Sequence, residues 1–218
     1  MISQKPIGCE SCSLFTKGKG FVPDTVVDNP EYVFIGEAPG KTEVEQSAAF
    51  VGRAGHVLRN WLIWAVPTMR LAYERKKITI ANTLRCLPPE IQGRAYPRGE
   101  EKDQAEACCR QYDNFGTAQT IVLFGESAQL YWFKDELQAE DISDKRLGHE
   151  AKGVLGRVGR TYQKDNRTYV FAPHPAWILR SPSLVEHGQR ALAIAANTES
   201  VVDVEYMDWE HALCELSL

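Results

Sequence analysis

The sequence predicts an α/β protein, a three-layer α/β/α sandwich around a central, mostly parallel four-stranded sheet. Short β-rich apolar runs recur along the chain, helical patterns lie between them, and each run stops at Gly, Pro or polar residues. Strand followed by helix, repeated, calls for crossovers that cover both faces of a parallel sheet.

The first run is Tyr32 to Gly36. After it, Gly55 to Ala65 places Val57, Leu58, Trp61, Leu62 and Trp64 on one broad apolar face, the signature of a helix lying on a core. The second run is Lys77 to Thr83. Glu100 to Phe115 then reads as a helix, Thr120 to Gly125 as the third strand, and Ser127 to Leu137 as another helix with Ser127 as its N-cap. Gly153 to Thr168 reads as a Gly-rich turn region and hairpin, with Asp165-Asn166 at one turn. Thr168 to Ala172 is the fourth strand.

With 218 residues, 44% hydrophobic and 25% charged, the chain can close one sizeable core, and we expect a single domain over 1–218. Within it, 1–30 is an N-terminal cysteine-bearing segment and 201–218 an acidic tail. A net charge of -4 argues against a nonspecific nucleic-acid coat but leaves room for a local basic face. The longest apolar stretch, Trp61 to Pro67, is too short to span a bilayer, and the N-terminus lacks the apolar region of a secretory signal. A cytoplasmic protein with no membrane partner is therefore expected.

Six cysteines in a reducing compartment point to a metal, a cluster or catalysis rather than to disulfides. Cys9 and Cys12 form a C-x2-C pair, which presents two sulfurs to one centre from a single turn. Cys86 follows the second strand and Cys108-Cys109 lie on a helix. A second C-x2-C is missing, which weakens a zinc ribbon, and the spacing leaves an iron-sulfur cluster, zinc and unligated buried thiols all open. Neighbouring helical residues point about 100° apart, so Cys108 and Cys109 are not expected to serve one centre together. Cys214 reads as a small buried hydrophobe.

Ligands of parallel sheets gather beyond the carboxyl ends of the strands. Three runs lead there directly into residues with chemistry: Gly36-Glu37-Ala38-Pro39-Gly40, Asn82 with Cys86, and Pro173-His174-Pro175.

These segments, with Phe50 to Gly55 (FVGRAG), Leu123 to Ala128 (LFGESA) and His174 to Arg180 (HPAWILR), make the sequence resemble the family 4, iron-sulfur type of uracil-DNA glycosylase. The blocks occur in that family's order over most of the chain. The resemblance implies a [4Fe-4S] cluster held by Cys9, Cys12, Cys86 and one of the paired cysteines. Cys109 is favoured, because Tyr112 completes a Cys-x-x-aromatic pattern with it. Zinc is the lesser alternative. The cluster would order DNA-contacting loops and take no part in the reaction.

The resemblance also implies a substrate, uracil in single- or double-stranded DNA, and a role for each candidate residue. A flipped base needs a stacking surface, for which Phe50 is the candidate, beside Gly36, Ala38, Pro39 and Gly40. Asn82 can accept from N3-H and donate to O4 of uracil, a pattern cytosine reverses. His174 would donate to O2 as negative charge develops on the departing base. Glu37, and secondarily Glu43, would direct water to C1′. Arg53, Ser127 and Arg180 are expected at the DNA backbone, and Trp177, Ile178 and Leu179 either wedge into the stack or pack in the core. His149, His187 and His211 read as surface residues.

The chain departs from the family pattern at Val44, where an acid is expected, at Ala48-Ala49 in place of a basic-proline pair, and at Leu87 in place of Arg. The stretch before Arg94 is slightly longer. The tail from Val201 offers either a closing helix or a surface for a protein partner. Besides uracil excision, two readings stay open: a DNA-binding or replication accessory protein with weak or lost excision, and a glycosylase for another deaminated base.

Overall fold

A computed structural model describes residues 5–6, 8–65, 67–91, 94–95, 97–146 and 153–196. His149, His211, Cys214 and the tail 201–218 lie outside the described residues. The elements in chain order are β1 (Tyr32–Gly36), α1 (Lys41–Gln46), α2 (Arg53–Ala65), α3 (Pro67–Glu74), β2 (Ile78–Asn82), β3 (Glu90–Ile91), β4 (Arg94–Ala95) and α4 (Glu100–Arg110). They continue with β5 (Thr120–Phe124), α5 (Gly125–Arg146), α6 (Gly153–Gly156), β6 (Thr161–Lys164), β7 (Arg167–Ala172), α7 (Pro175–Ile178) and α8 (Val185–Ala195).

The sheet runs β2-β1-β5-β7-β6, parallel throughout except for the last pair. It has five strands where the sequence predicts four. The extra one, β6, is the outer arm of the anticipated hairpin. Its residues alternate between exposed and half-buried, so its sequence lacks the apolar run that marks the inner strands. Asp165 and Asn166 form the turn with φ of 51° and 58°, the paired left-handed conformations that match the twist of a hairpin.

Alternate side chains of the inner strands feed two cores. Phe34, Val122, Phe124 and Val170 face α2, α3 and α8, where Trp61, Leu62, Met69 and Leu192 are buried. Val33, Ile35, Ile121, Leu123 and Phe171 face α5 through Phe133 and Leu137. Each such side chain contributes roughly 1.5–3 kcal/mol on leaving water. The exposed pairs Lys17–Glu101 and Arg70–Glu74 add roughly 0.2–1 kcal/mol each, so the two apolar layers hold the sandwich. No helix of the described residues is long and apolar enough to cross a membrane.

Two helix boundaries differ from expectation. α4 stops at Arg110 rather than Phe115, because Asp113 turns inward to accept hydrogen bonds from Arg85 and from the Tyr131 hydroxyl. α5 starts at Gly125, directly off β5, so Ser127 is a buried residue of the first turn and not its cap.

The N-terminal segment is tied to this frame by Arg85, 1% exposed. Its guanidinium meets Asp24 at 2.6 and 2.9 Å and Asp113 at 2.9 Å, and donates to the Cys109 carbonyl at 2.6 Å. Burial opposes the charge on Arg85, but the two carboxylates overcome it and hold its pKa above the ordinary value. Removing one member of such a group strands the others in a poor solvent. We expect Arg85→Ala to lower stability by about 3–5 kcal/mol in a urea titration, whereas Lys17→Ala shifts it by less than about 1 kcal/mol.

Candidate active site

The ends of β1, β2 and β7 deliver the candidate residues to one edge of the sheet. Gly36 and Asn82 are register partners across β1 and β2. The Phe50 ring crosses over them. A Cβ at position 36 would stand 2.5 Å from Phe50 Cζ and 2.7 Å from Asn82 Oδ1, so only glycine lets the ring and the amide meet there. Asn82 is 4% exposed, and its side-chain amide makes no hydrogen bond to the described residues.

Phe50 has φ of 54°, a left-handed conformation rare for a bulky residue. Its carbonyl accepts from the Arg59 guanidinium at 3.1 Å, which helps hold it so. The ring packs at 6.0 Å on Phe124 and stacks at 5.8 Å and 29° with the His174 imidazole.

His174 sits between Pro173 and Pro175 and caps α7. Its Nδ1 accepts the Ala176 N–H at 3.1 Å, so in the neutral ring the proton lies on Nε2. Burial, then the charge of Arg180, pushes its pKa down to about 4. Gly125, with φ of 80°, passes so close that a Cβ there would stand 2.9 Å from that of His174.

Two clefts adjoin at His174, Ala38 and Ala176. The smaller, about 300 Å³, holds Phe50, Asn82, Gly40, Glu43 and the exposed Arg53. The larger, about 690 Å³, holds Glu37, Lys102, Ser127, Trp177 and Arg180. Pro39 is buried between β1 and α1.

The two carboxylates differ. Glu43 is 8% exposed, and its oxygens accept the Gly40 N–H at 3.1 Å and the Gly52 N–H at 2.7 Å, which ties the start of α1 to the approach of α2. The Glu37 side chain is about half exposed over the larger cleft, 3.9 Å from Lys102. The Ser127 hydroxyl, largely buried where it lines the larger cleft, accepts from Lys102 at 2.5 Å and donates to Glu106 at 3.5 Å. Of the apolar triplet, Ile178 is in the core, Leu179 packs against it and Trp177 lines the larger cleft. His187 is exposed, as expected.

Sequence reasoning missed Lys102, Glu106, Arg59 and Arg85. Only the i, i+4 spacing of Lys102 and Glu106 could have signalled a pair, and nothing local aims either at the cleft. The departures at Val44 and Ala49 have packing explanations. Val44 rests against Gly20, where a Cβ would be 2.5 Å from its Cγ1, and Ala49 is buried beside Phe50 in the core.

Behind this edge, Cys9, Cys12, Cys86, Cys108 and Cys109 line one small apolar pocket with Leu14, Phe15 and Phe21. Cys108 and Cys109 therefore share a pocket although they are helical neighbours. Among the described residues no group of three His, Cys, Asp or Glu side chains is placed to hold a metal ion. Burial pushes the Cys86 thiol up to about 11 and that of Cys109 up to about 12, so without a cation both stay protonated.

The cleft at the carboxyl edge of the parallel sheet thus offers a ring face, an amide unpaired among the described residues and a neutral imidazole, which together can hold a flat heterocycle. The sequence profile of the Uracil DNA glycosylase superfamily matches residues 23–197, and the chain belongs to that superfamily. It is similar to the type-4 uracil-DNA glycosylases of Sulfurisphaera tokodaii (28% identity, covering 84% of this chain and 76% of the relative) and Archaeoglobus fulgidus (28%, 85% and 85%). The same kind of enzyme from Pyrobaculum aerophilum is 29% identical over 85% of this chain and 87% of its own.

The depressed pKa fixes the sign of one pH effect. The fold favours neutral His174, so stability from this group is present at neutral pH and is lost as pH falls through about 6.5, the unfolded value, toward 4. NMR of the imidazole Cε1–H should show a midpoint near 4 for His174; a midpoint at or above about 6.5, the ordinary histidine value, would contradict the buried neutral ring.

Proposed function

We propose that this protein is a monofunctional uracil-DNA glycosylase that hydrolyses the N-glycosidic bond of a flipped-out uracil and leaves an abasic site. It would act in base excision repair, in the cytoplasm. The observation that carries this reading is the neutral His174 with Nδ1 committed to a backbone amide, which leaves Nε2–H as a donor beside the Phe50 ring and the free Asn82 amide.

Uracil stacks on Phe50, and Asn82 accepts from N3–H while donating to O4. As the bond between C1′ and N1 breaks, negative charge spreads over the base, and Nε2–H of His174 donates to O2. A neutral donor needs no proton transfer, and its fixed orientation avoids reorganisation at the moment of reaction. Glu37, whose carboxylate is free over the larger cleft, directs a water to the oxocarbenium-like C1′ and takes up its proton. Glu43, with both oxygens engaged by amides, instead holds the loop under the base. Arg53 and Arg180, exposed at the two rims, meet backbone phosphates. Trp177 is the member of its triplet placed to fill the space the base leaves.

Cys9, Cys12, Cys86 and Cys109 would hold a [4Fe-4S] cluster. Soft sulfurs drawn singly from separate stretches of chain beside one C-x2-C pair, all lining one pocket, suit an iron-sulfur cluster, the group the family resemblance also implies. When bound, the cluster supplies structural order and no reaction step.

Uracil-containing single- and double-stranded oligonucleotides should become alkali-labile with this protein, while hypoxanthine- and xanthine-containing ones stay intact. An alkali-stable uracil product sinks the reading. His174→Gln should slow excision about 100- to 1,000-fold with the melting temperature unchanged. Purified protein should be brown with about four irons per chain, and Cys86→Ser should lose both colour and iron. Stoichiometric zinc in colourless protein would refute the cluster.

A further inference from the structure

We propose that Lys102 is a positioning residue that holds the Glu37 carboxylate over the larger cleft. The proposal rests on the reading of Glu37 as the group that directs water.

The backbone at Glu37 is fixed, because its carbonyl accepts from Leu84 N–H at 2.9 Å and Thr83 Oγ1 at 3.0 Å. Its side chain is not fixed in this way. It is 55% exposed, and among the described residues its one ion pair is to Lys102, at 3.9 Å. A carboxylate on a free two-carbon stem samples several rotamers, and only some place it where water could attack C1′.

Lys102, by contrast, is anchored. It lies in the first turn of α4, 27% exposed, and Nζ donates to Ser127 Oγ at 2.5 Å with Glu106 Oε1 at 3.7 Å. Ser127 in turn donates to Glu106, which closes a three-membered brace between α4 and α5. Burial pushes the Glu106 carboxyl up and the Lys102 ammonium draws it back down, so the ammonium lies between the Glu106 and Glu37 carboxylates. The other charged or titratable groups lining this cleft are Glu90 from β3, Glu126 from α5, His174 at the start of α7 and Arg180 beyond it. None of them pairs with Glu37 among the described residues.

The brace is also tied to the thiol pocket. α4 carries Lys102 at one end and Cys109 at the other, and the Arg85 guanidinium fixes the Cys109 carbonyl. Ordering of the pocket thereby reaches the water-directing group along a single helix.

Steady-state excision of uracil should be compared for the holoprotein, Lys102→Met, Lys102→Arg, Glu37→Gln and the double variant Lys102→Met with Glu37→Gln. Lys102→Met keeps the aliphatic stem, and melting temperatures report whether each variant folds. Lys102→Met should lower kcat about 10- to 100-fold with KM within about twofold. Lys102→Arg should recover most of that loss, and the double variant should be no slower than Glu37→Gln alone. A raised KM with unchanged kcat, or losses that multiply in the double variant, would overturn the tether and make Lys102 a phosphate contact. Full-rate Lys102→Met beside a crippled Glu37→Gln overturns the tether alone. Full-rate Glu37→Gln overturns the water-directing reading and the tether with it.

Discussion

The buried Arg85 guanidinium sets how the cysteine-bearing segments of this molecule face one another. Arg85 lies one residue before Cys86, and its contacts reach the N-terminal segment through Asp24 and the end of α4 through Asp113 and the Cys109 carbonyl. Those three stretches carry all five described cysteines. Apolar packing alone could hold them together, and a well-packed apolar replacement of a buried ion pair is often no less stable. What the ion pairs add is direction. A bidentate guanidinium accepts its carboxylates in one plane and one orientation, which fixes how the segments face the pocket. The same stretch of chain runs back three residues to Asn82, so the thiol pocket and the Asn82 amide proposed to read the base share one support.

At the reacting edge the structure accepts unfavourable local states to obtain fixed ones. Phe50 takes a left-handed backbone, Asn82 keeps a nearly buried amide without a hydrogen-bond partner among the described residues, and His174 stays uncharged well below its usual pKa. The left-handed backbone and the unpartnered amide cost stability, the imidazole does so only in acid, and all three suit the proposed flat base with donors and acceptors on its rim. Glu43 contributes on the opposite side of the balance. Its carboxylate satisfies two loop amides that would otherwise lack partners, and so stabilises the loop from which Phe50 projects.

The parts legible in the sequence were those encoded locally. Inner strands of a parallel sheet are buried on both faces, so their apolar runs stand out and their ends could be placed within a residue or two. Gly36 and Asn82 end such strands and His174 lies two residues beyond one, which places them at the sheet's carboxyl edge; the roles expected of Asn82 and His174 come from the family resemblance. β6 was missed as a strand because an edge with one face in water carries little apolar signal. Ser127 reads in sequence as an N-cap because serine before an apolar run usually means that, whereas the helix begins two residues earlier, at Gly125. The structure gives its hydroxyl to Lys102, a residue 25 positions away on another helix. Arg85 and Lys102 act through partners distant in sequence, and no spacing rule reports such contacts.

The ring at position 50, the amide at 82 and the imidazole at 174 come from stretches of chain far apart in sequence, brought side by side by parallel strands that must all pair first. No contiguous fragment shorter than most of the domain contains the set. The proposed site therefore assembles only when the whole set of parallel strands has paired, and on that reading turnover counts folded molecules.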